Sequence, residues 1–89
     1  MVEPRRVGYF EDAISLAQEG SYREALQHLN AILRHDREHV EAFFYRGLCR
    51  LELKDYQGAY VDLSKVIDLE PGQVQAYGYR AKACMRLGN

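Results

Sequence analysis

Residues Ala42 to Pro71 read AFFYRGLCRLELKDYQGAYVDLSKVIDLEP, and this stretch decides the fold. Its apolar residues recur at spacings of three and four, the period of a helix face, in two blocks joined by a short polar turn. Gly47 and Ala59 stand where such a helix pair would cross most closely, because a missing or minimal side chain lets two backbones approach. Aromatic residues flank both blocks, with Phe43 ahead of the first and Tyr56 ahead of the second.

Outward from this stretch, the same residue types return at a constant displacement of 34 positions. Tyr9, Phe43 and Tyr77 form one series, and Ala13, Gly47 and Ala81 a second. Tyr22 with Tyr56, Ala25 with Ala59, Leu29 with Leu63, and Ile32 with Val66 continue the register. The spacing predicts a first helix from about Pro4 to Gln18, ended by Gly20. A second is predicted from Ser21 to about His35, opened by a capping box between Ser21 and Glu24, with Ala25, Leu29 and Ile32 or Leu33 on one buried stripe. After a polar link from Asp36 to His39, a third helix is expected over Val40 to Leu53. A fourth, capped by Asp55, should run to about Leu69, where Pro71 and Gly72 stop it. A fifth is expected over Gln73 to Leu87. No stretch alternates as a strand would. The expected architecture is therefore all-α: a right-handed stack of antiparallel helix hairpins with five helices, two complete hairpins and one extra helix.

Composition bounds the class. The chain has 89 residues, 12 basic and 13 acidic groups, a net charge of -1 and 47% hydrophobic residues, which fits one folded, soluble domain of modest stability. No apolar run is long enough to span a bilayer, and the N-terminal MVEPRRVGYF lacks the apolar core of a secretory signal. Cys49 and Cys84 fall inside helices and read as reduced, buried residues of an intracellular, cytoplasmic protein.

On these residues the chain from Tyr9 to Asn89 resembles the tetratricopeptide repeat, whose pattern is an aromatic, a leucine-glycine pair, a tyrosine, an alanine, an aromatic and a closing proline. The central repeat, about residues 40–73, carries it as Phe43, Gly47, Tyr56, Ala59, Leu63 and Pro71. The first, about 6–39, departs from it: Asp12 stands where leucine is usual, Ile32 replaces a small residue, and Arg37 replaces the proline. The half repeat, 74–89, matches at Tyr77, Ala81, Leu87 and Gly88. Tyr77, Ala81 and Cys84 are expected to pack inward and Gln75, Lys82 and Arg86 to face solvent, with an exposed apolar strip left near the C-terminus.

Catalytic signatures are missing from the sequence. It has no Gly-rich phosphate loop, no GxSxG and no HExxH, and the expectation is a protein that is not an enzyme and takes no cofactor. His28, His35 and His39 lie near one helix end in a loose polar setting, which does not make a metal site. Arg46, Arg50, Arg80 and Arg86 would line adjacent helices as a basic stripe for nucleic acid, but Asp62 lies on the intervening helix, and the resemblance implies an internal ion pair between an acid there and an arginine at the Arg46 or Arg80 slot. The near-zero net charge also weakens any phosphate-neutralising term, so no nucleic acid is expected.

The resemblance implies instead that function sits on the concave face, lined by the first helix of each repeat. The family's groove slots fall on Phe10, Glu11, Ile14 and Ala17 in the first helix and on Phe44, Tyr45, Leu48 and Leu51 in the third. In the fifth they fall on Gln75, Gly78, Tyr79, Lys82 and Met85. The family's basic clamp for acidic chaperone tails is absent, because its slots hold Phe10, Ile14, Tyr45, Gln75 and Tyr79. The expected function is a scaffold that holds an apolar helix or extended peptide of a partner protein, with Tyr45 and Tyr79 as anchors. The alternative is a self-associating module, a homo-oligomer formed through the incomplete C-terminal repeat.

Overall fold

The computed structural model of the protein describes residues 10–88. These form α1 (Phe10–Gln18), α2 (Tyr22–His35), α3 (Val40–Glu52), α4 (Tyr56–Leu69) and α5 (Val74–Leu87), with no strand among the described residues. The expected first turn from Pro4, and Tyr9 of the aromatic series, lie outside them. Each helix packs chiefly on its neighbours in the chain, and α1 also touches α3, and α3 touches α5. That pattern makes two layers: α1, α3 and α5 in one, α2 and α4 in the other.

The small residues explain the close packing. Ala13, Ala25, Leu29, Leu33, Ala42 and Cys49 make one buried cluster, and Leu63, Val66 and Ala76 a second, with Phe43 packed against both. Gly47 is buried, and a Cβ placed on it would lie only 3.0 Å from Leu63 Cγ and 3.4 Å from Asp62 Cβ. A methyl group at the α3–α4 crossing would thus fit only if the Leu63 side chain gave way.

Helix ends repeat with the same period. Gly20, Lys54 and Gly88 all have positive φ, at 86°, 68° and 86°. Behind the first two, Ser21 N–H donates to Leu16 O at 2.8 Å and Asp55 N–H donates to Arg50 O at 2.7 Å, the closing bond of a Schellman end. Glycine enters this left-handed conformation without strain, whereas the Lys54 side chain is forced into it.

Three expectations are corrected. The capping box at Ser21 does not form: its side chain makes no cap hydrogen bond, and its N–H, which Glu24 was to satisfy, is already committed to Leu16 O. The link ending at His39 is more structured than a polar connector, since His39 Nδ1 accepts from Ala42 N–H at 3.0 Å and caps α3. Tyr77 and Ala81 are exposed rather than inward, and Cys84 is half-buried, while Ala76 and Ala83 fill the core side of α5. The reason lies in the hairpin geometry. Gly47 is buried because α4 covers its side of α3, and nothing among the described residues covers the matching side of α5. The strip left open holds Val74, Met85 and Leu87 as well as Tyr77.

Candidate partner-binding face

Helix periodicity puts the outward residues of α1, α3 and α5 on one face. Four aromatic rings cross it in edge contact. Phe10 meets Tyr45 with centroids 5.7 Å apart, Tyr45 meets Phe44 at 5.5 Å, and Phe44 meets Tyr79 at 5.9 Å, each pair close to perpendicular. His39 extends the row beyond Phe10 at 5.3 Å. Such edge-to-face pairs hold their rings in fixed orientations, because the positive edge of one meets the negative face of the next.

Clefts open beside this row. One of about 360 Å³ is lined by Leu48, Leu51, Tyr79 and Lys82 together with Glu52, Lys54, Tyr56 and Arg86. A second, of about 210 Å³, lies between α1 and α3 and is lined by Ile14, Ala17, Gln18, Tyr22, Tyr45, Leu48, Cys49 and Glu52. Leu48 and Glu52 are common to both, so the two are continuous along α3. A third, shallower depression runs over Gln75, Gly78, Tyr79 and Lys82.

Of the thirteen groove positions that the resemblance names, Ile14, Ala17, Tyr45, Leu48, Leu51, Gln75, Gly78, Tyr79 and Lys82 line these clefts, and Glu11 is exposed. Phe10 and Phe44 join the aromatic row instead and back onto the two core clusters. Met85 stands apart: it is 75% exposed and lines none of the three clefts described. Sequence reasoning passes over Glu52, Lys54, Tyr56 and Arg86 as groove residues, the polar rim of the cleft between α3 and α5. Tyr56 is visible as a repeat position, and Arg86, whose guanidinium sits 5.9 Å from the Tyr56 ring centre, reads from sequence as a solvated side chain or a member of a basic stripe. Lys54 gave no signal, because its place depends on the strained helix end.

The other arginines of the expected basic stripe, Arg46, Arg50 and Arg80, are engaged. Asp62, fully buried, accepts from Arg46 Nε at 3.0 Å and Nη2 at 2.8 Å, and from Arg50 Nη1 at 2.9 Å. Arg46 also donates through Nη1 to Asn30 Oδ1 at 2.9 Å, so one guanidinium ties α2, α3 and α4 together. Arg80 donates to Ser64 Oγ at 3.3 Å. Cys49, behind the cleft between α1 and α3, is buried, and burial first, then the Glu52 carboxylate, pushes its thiol up to about 11. Among the described residues no three His, Cys, Asp or Glu side chains gather as metal ligands, and no helix is long and apolar enough to cross a membrane.

Stacked helical hairpins that repeat every 34 residues define a helical repeat protein. A profile described as tetratricopeptide repeat matches residues 10–63, more than half of the sequence, and the chain belongs to that family. It is 42% identical over 53 residues to FK506-binding protein 59 of Drosophila melanogaster, covering 60% of this chain and 12% of that protein. It is 36% identical over 61 residues to aryl-hydrocarbon-interacting protein-like 1 of Mus musculus, covering 68% of this chain and 19% of that protein, and the same figures hold for the Bos taurus protein of that name. The chain thus spans less than a fifth of the length of these relatives. Tetratricopeptide repeats are generally non-catalytic and mediate protein–protein interaction.

Proposed function

We propose that the chain is a non-catalytic scaffold, working inside the cell, that holds an apolar helix or extended segment of a partner protein along the face built by α1, α3 and α5. The observation that carries this reading is the edge-packed row Phe10, Tyr45, Phe44, Tyr79 with clefts along it. Rings already held in place lose little freedom on binding, and tyrosines offer an apolar body with a polar tip, the profile of interface anchors. Lys54, Lys82 and Arg86 at the rim of the cleft between α3 and α5 favour a partner segment with a carboxylate beside its apolar residues. These three cations sit at one cleft's rim and do not fill the slots of the family's basic clamp for acidic tails. The engagement of Arg46 and Arg50 with Asp62 takes two members out of the expected basic stripe, which weakens the case for a phosphate backbone as partner. Within this reading, residues 6–39, 40–73 and 74–89 are two repeats and a half repeat of one domain.

The test is selection of peptide ligands by display against the protein, followed by affinity measurement on Tyr45→Ala and Phe44→Ala. Weaker binding with helicity retained supports the reading. Undiminished binding removes it.

Self-association through α5 is the competing arrangement, and its exposed Val74 and Met85 favour it. A concentration series by light scattering separates the two, because a scaffold with an open groove stays monomeric and an assembler does not.

A further inference from the structure

The open side of α5 repeats the covered side of α3. Tyr77, Arg80, Ala81 and Cys84 stand 34 residues after Phe43, Arg46, Gly47 and Arg50. At about 100° per residue they fall opposite the groove residues Gln75, Tyr79 and Lys82 of the same helix. On α3 this side is sealed by α4, which delivers the Asp62 carboxylate to Arg46. Arg80 is held in the corresponding pose: its Nη1 donates to Ser64 just as Arg46 Nη1 donates to Asn30, each partner lying 16 residues back. The rings of Tyr60 and Tyr77, each 5.8 Å from the guanidinium carbon, fix it further. Among the described residues no carboxylate reaches the rest of the Arg80 guanidinium. In the repeat register its remaining donors correspond to those with which Arg46 holds Asp62.

We propose that this face binds an amphipathic helix of a partner protein that presents a carboxylate to Arg80 and a residue smaller than leucine to Ala81. The size limit follows from Gly47, where one added methyl group would already press on Leu63; Ala81 carries that methyl group. Charge decides against a second copy as occupant. α5 holds Arg80, Lys82 and Arg86 and no acidic residue, so two α5 helices face to face would set like charges together, whereas an acidic helix relieves them.

The probe is a fluorescently labelled peptide with the sequence of residues 55–70 carrying Leu63→Ala, the protein's own solution to this packing problem. Saturable binding is expected, with amide resonance shifts centred on Tyr77, Arg80, Ala81 and Cys84. Asp62→Asn in the peptide or Arg80→Gln in the protein is expected to weaken it about tenfold, the scale of one charge-assisted hydrogen-bonded pair, with little further loss when both are combined. Ala81→Trp, on an exposed position with room around it, should block binding with the circular dichroism unchanged. Any of four results overturns the proposal: no binding, binding indifferent to Arg80→Gln, shifts centred on α3 because the peptide has displaced α4, or a stable dimer of the protein that occludes the face.

Discussion

Arg46 clasps Asp62 through two parallel hydrogen bonds, 3.0 Å from Nε and 2.8 Å from Nη2, with the carboxylate fully buried and the guanidinium mostly so. Arg50 adds a third donor at 2.9 Å. The cluster lies between the helices of the central hairpin and reaches α2 through Asn30. Its value is best read from its removal. Asp62→Ala leaves two arginines without their anion, and breaking a buried pair costs about 3–5 kcal/mol. Because both arginines keep some access to water, the lower end is expected. Urea unfolding followed by circular dichroism should show a loss of about 3 kcal/mol, and a loss below ~1 kcal/mol would mean that the carboxylate is not holding α3 to α4.

Lys54 occupies the left-handed helix end that Gly20 and Gly88 fill elsewhere in the repeat register. A side chain there costs about 1 kcal/mol that glycine avoids. Lys54→Gly is therefore expected to raise the stability by about 1 kcal/mol and the melting temperature by roughly 5 °C. A lowered melting temperature would contradict the strain. Since Lys54 also borders the cleft between α3 and α5, binding should be measured separately from stability in this variant.

Gly47→Ala gains about 1 kcal/mol of helix propensity but drives a methyl group to 3.0 Å from the fully buried Leu63. Overpacking of this kind costs about 1–3 kcal/mol, so a net loss of roughly 1 kcal/mol is expected in denaturant titration. A gain would show that the crossing has slack.

Cys49 should behave as a protected thiol. Its folded value of about 11 lies above the ordinary 9.0, so the folded state keeps its proton where the unfolded state has released it. The stabilisation is present below pH 9 and is lost as the pH rises toward 11. Brief iodoacetamide labelling at pH 8, read by peptide mass spectrometry, is expected to mark Cys84 well before Cys49, with the two equal in urea. Equal labelling of the native protein would contradict it.

Much of this was legible in the sequence because the 34-residue register repeats the residues that set helix contacts. Ala25 with Ala59, and Leu29 with Leu63, are buried as their positions imply. What escaped depends on partners that a repeat pattern does not specify. Ser21 looks like a capping-box serine, yet a neighbouring helix end consumes its N–H. His39 looks like a linker residue and caps a helix. Ala81 has the composition of a buried position and is exposed, because burial belongs to a pair of helices and not to one. In the groove, the residues on the first helices were readable from the resemblance, whereas Lys54 and Arg86 arrive from a helix end and a helix terminus outside the slots it names.

The groove itself is tested most directly by titrating a display-selected peptide into isotope-labelled protein and following amide shifts and affinity in the wild type, Tyr79→Ala and the outer-layer control Arg34→Ala. Tyr79 is the cleanest site, being 36% exposed, so its removal should leave the helices intact. The expected result is shifts along Ile14, Tyr45, Leu48 and Tyr79, an affinity at least tenfold weaker in Tyr79→Ala, as befits an anchor, and none of this loss in Arg34→Ala. Shifts confined to α2 and α4, or an affinity untouched by Tyr79→Ala, would contradict it.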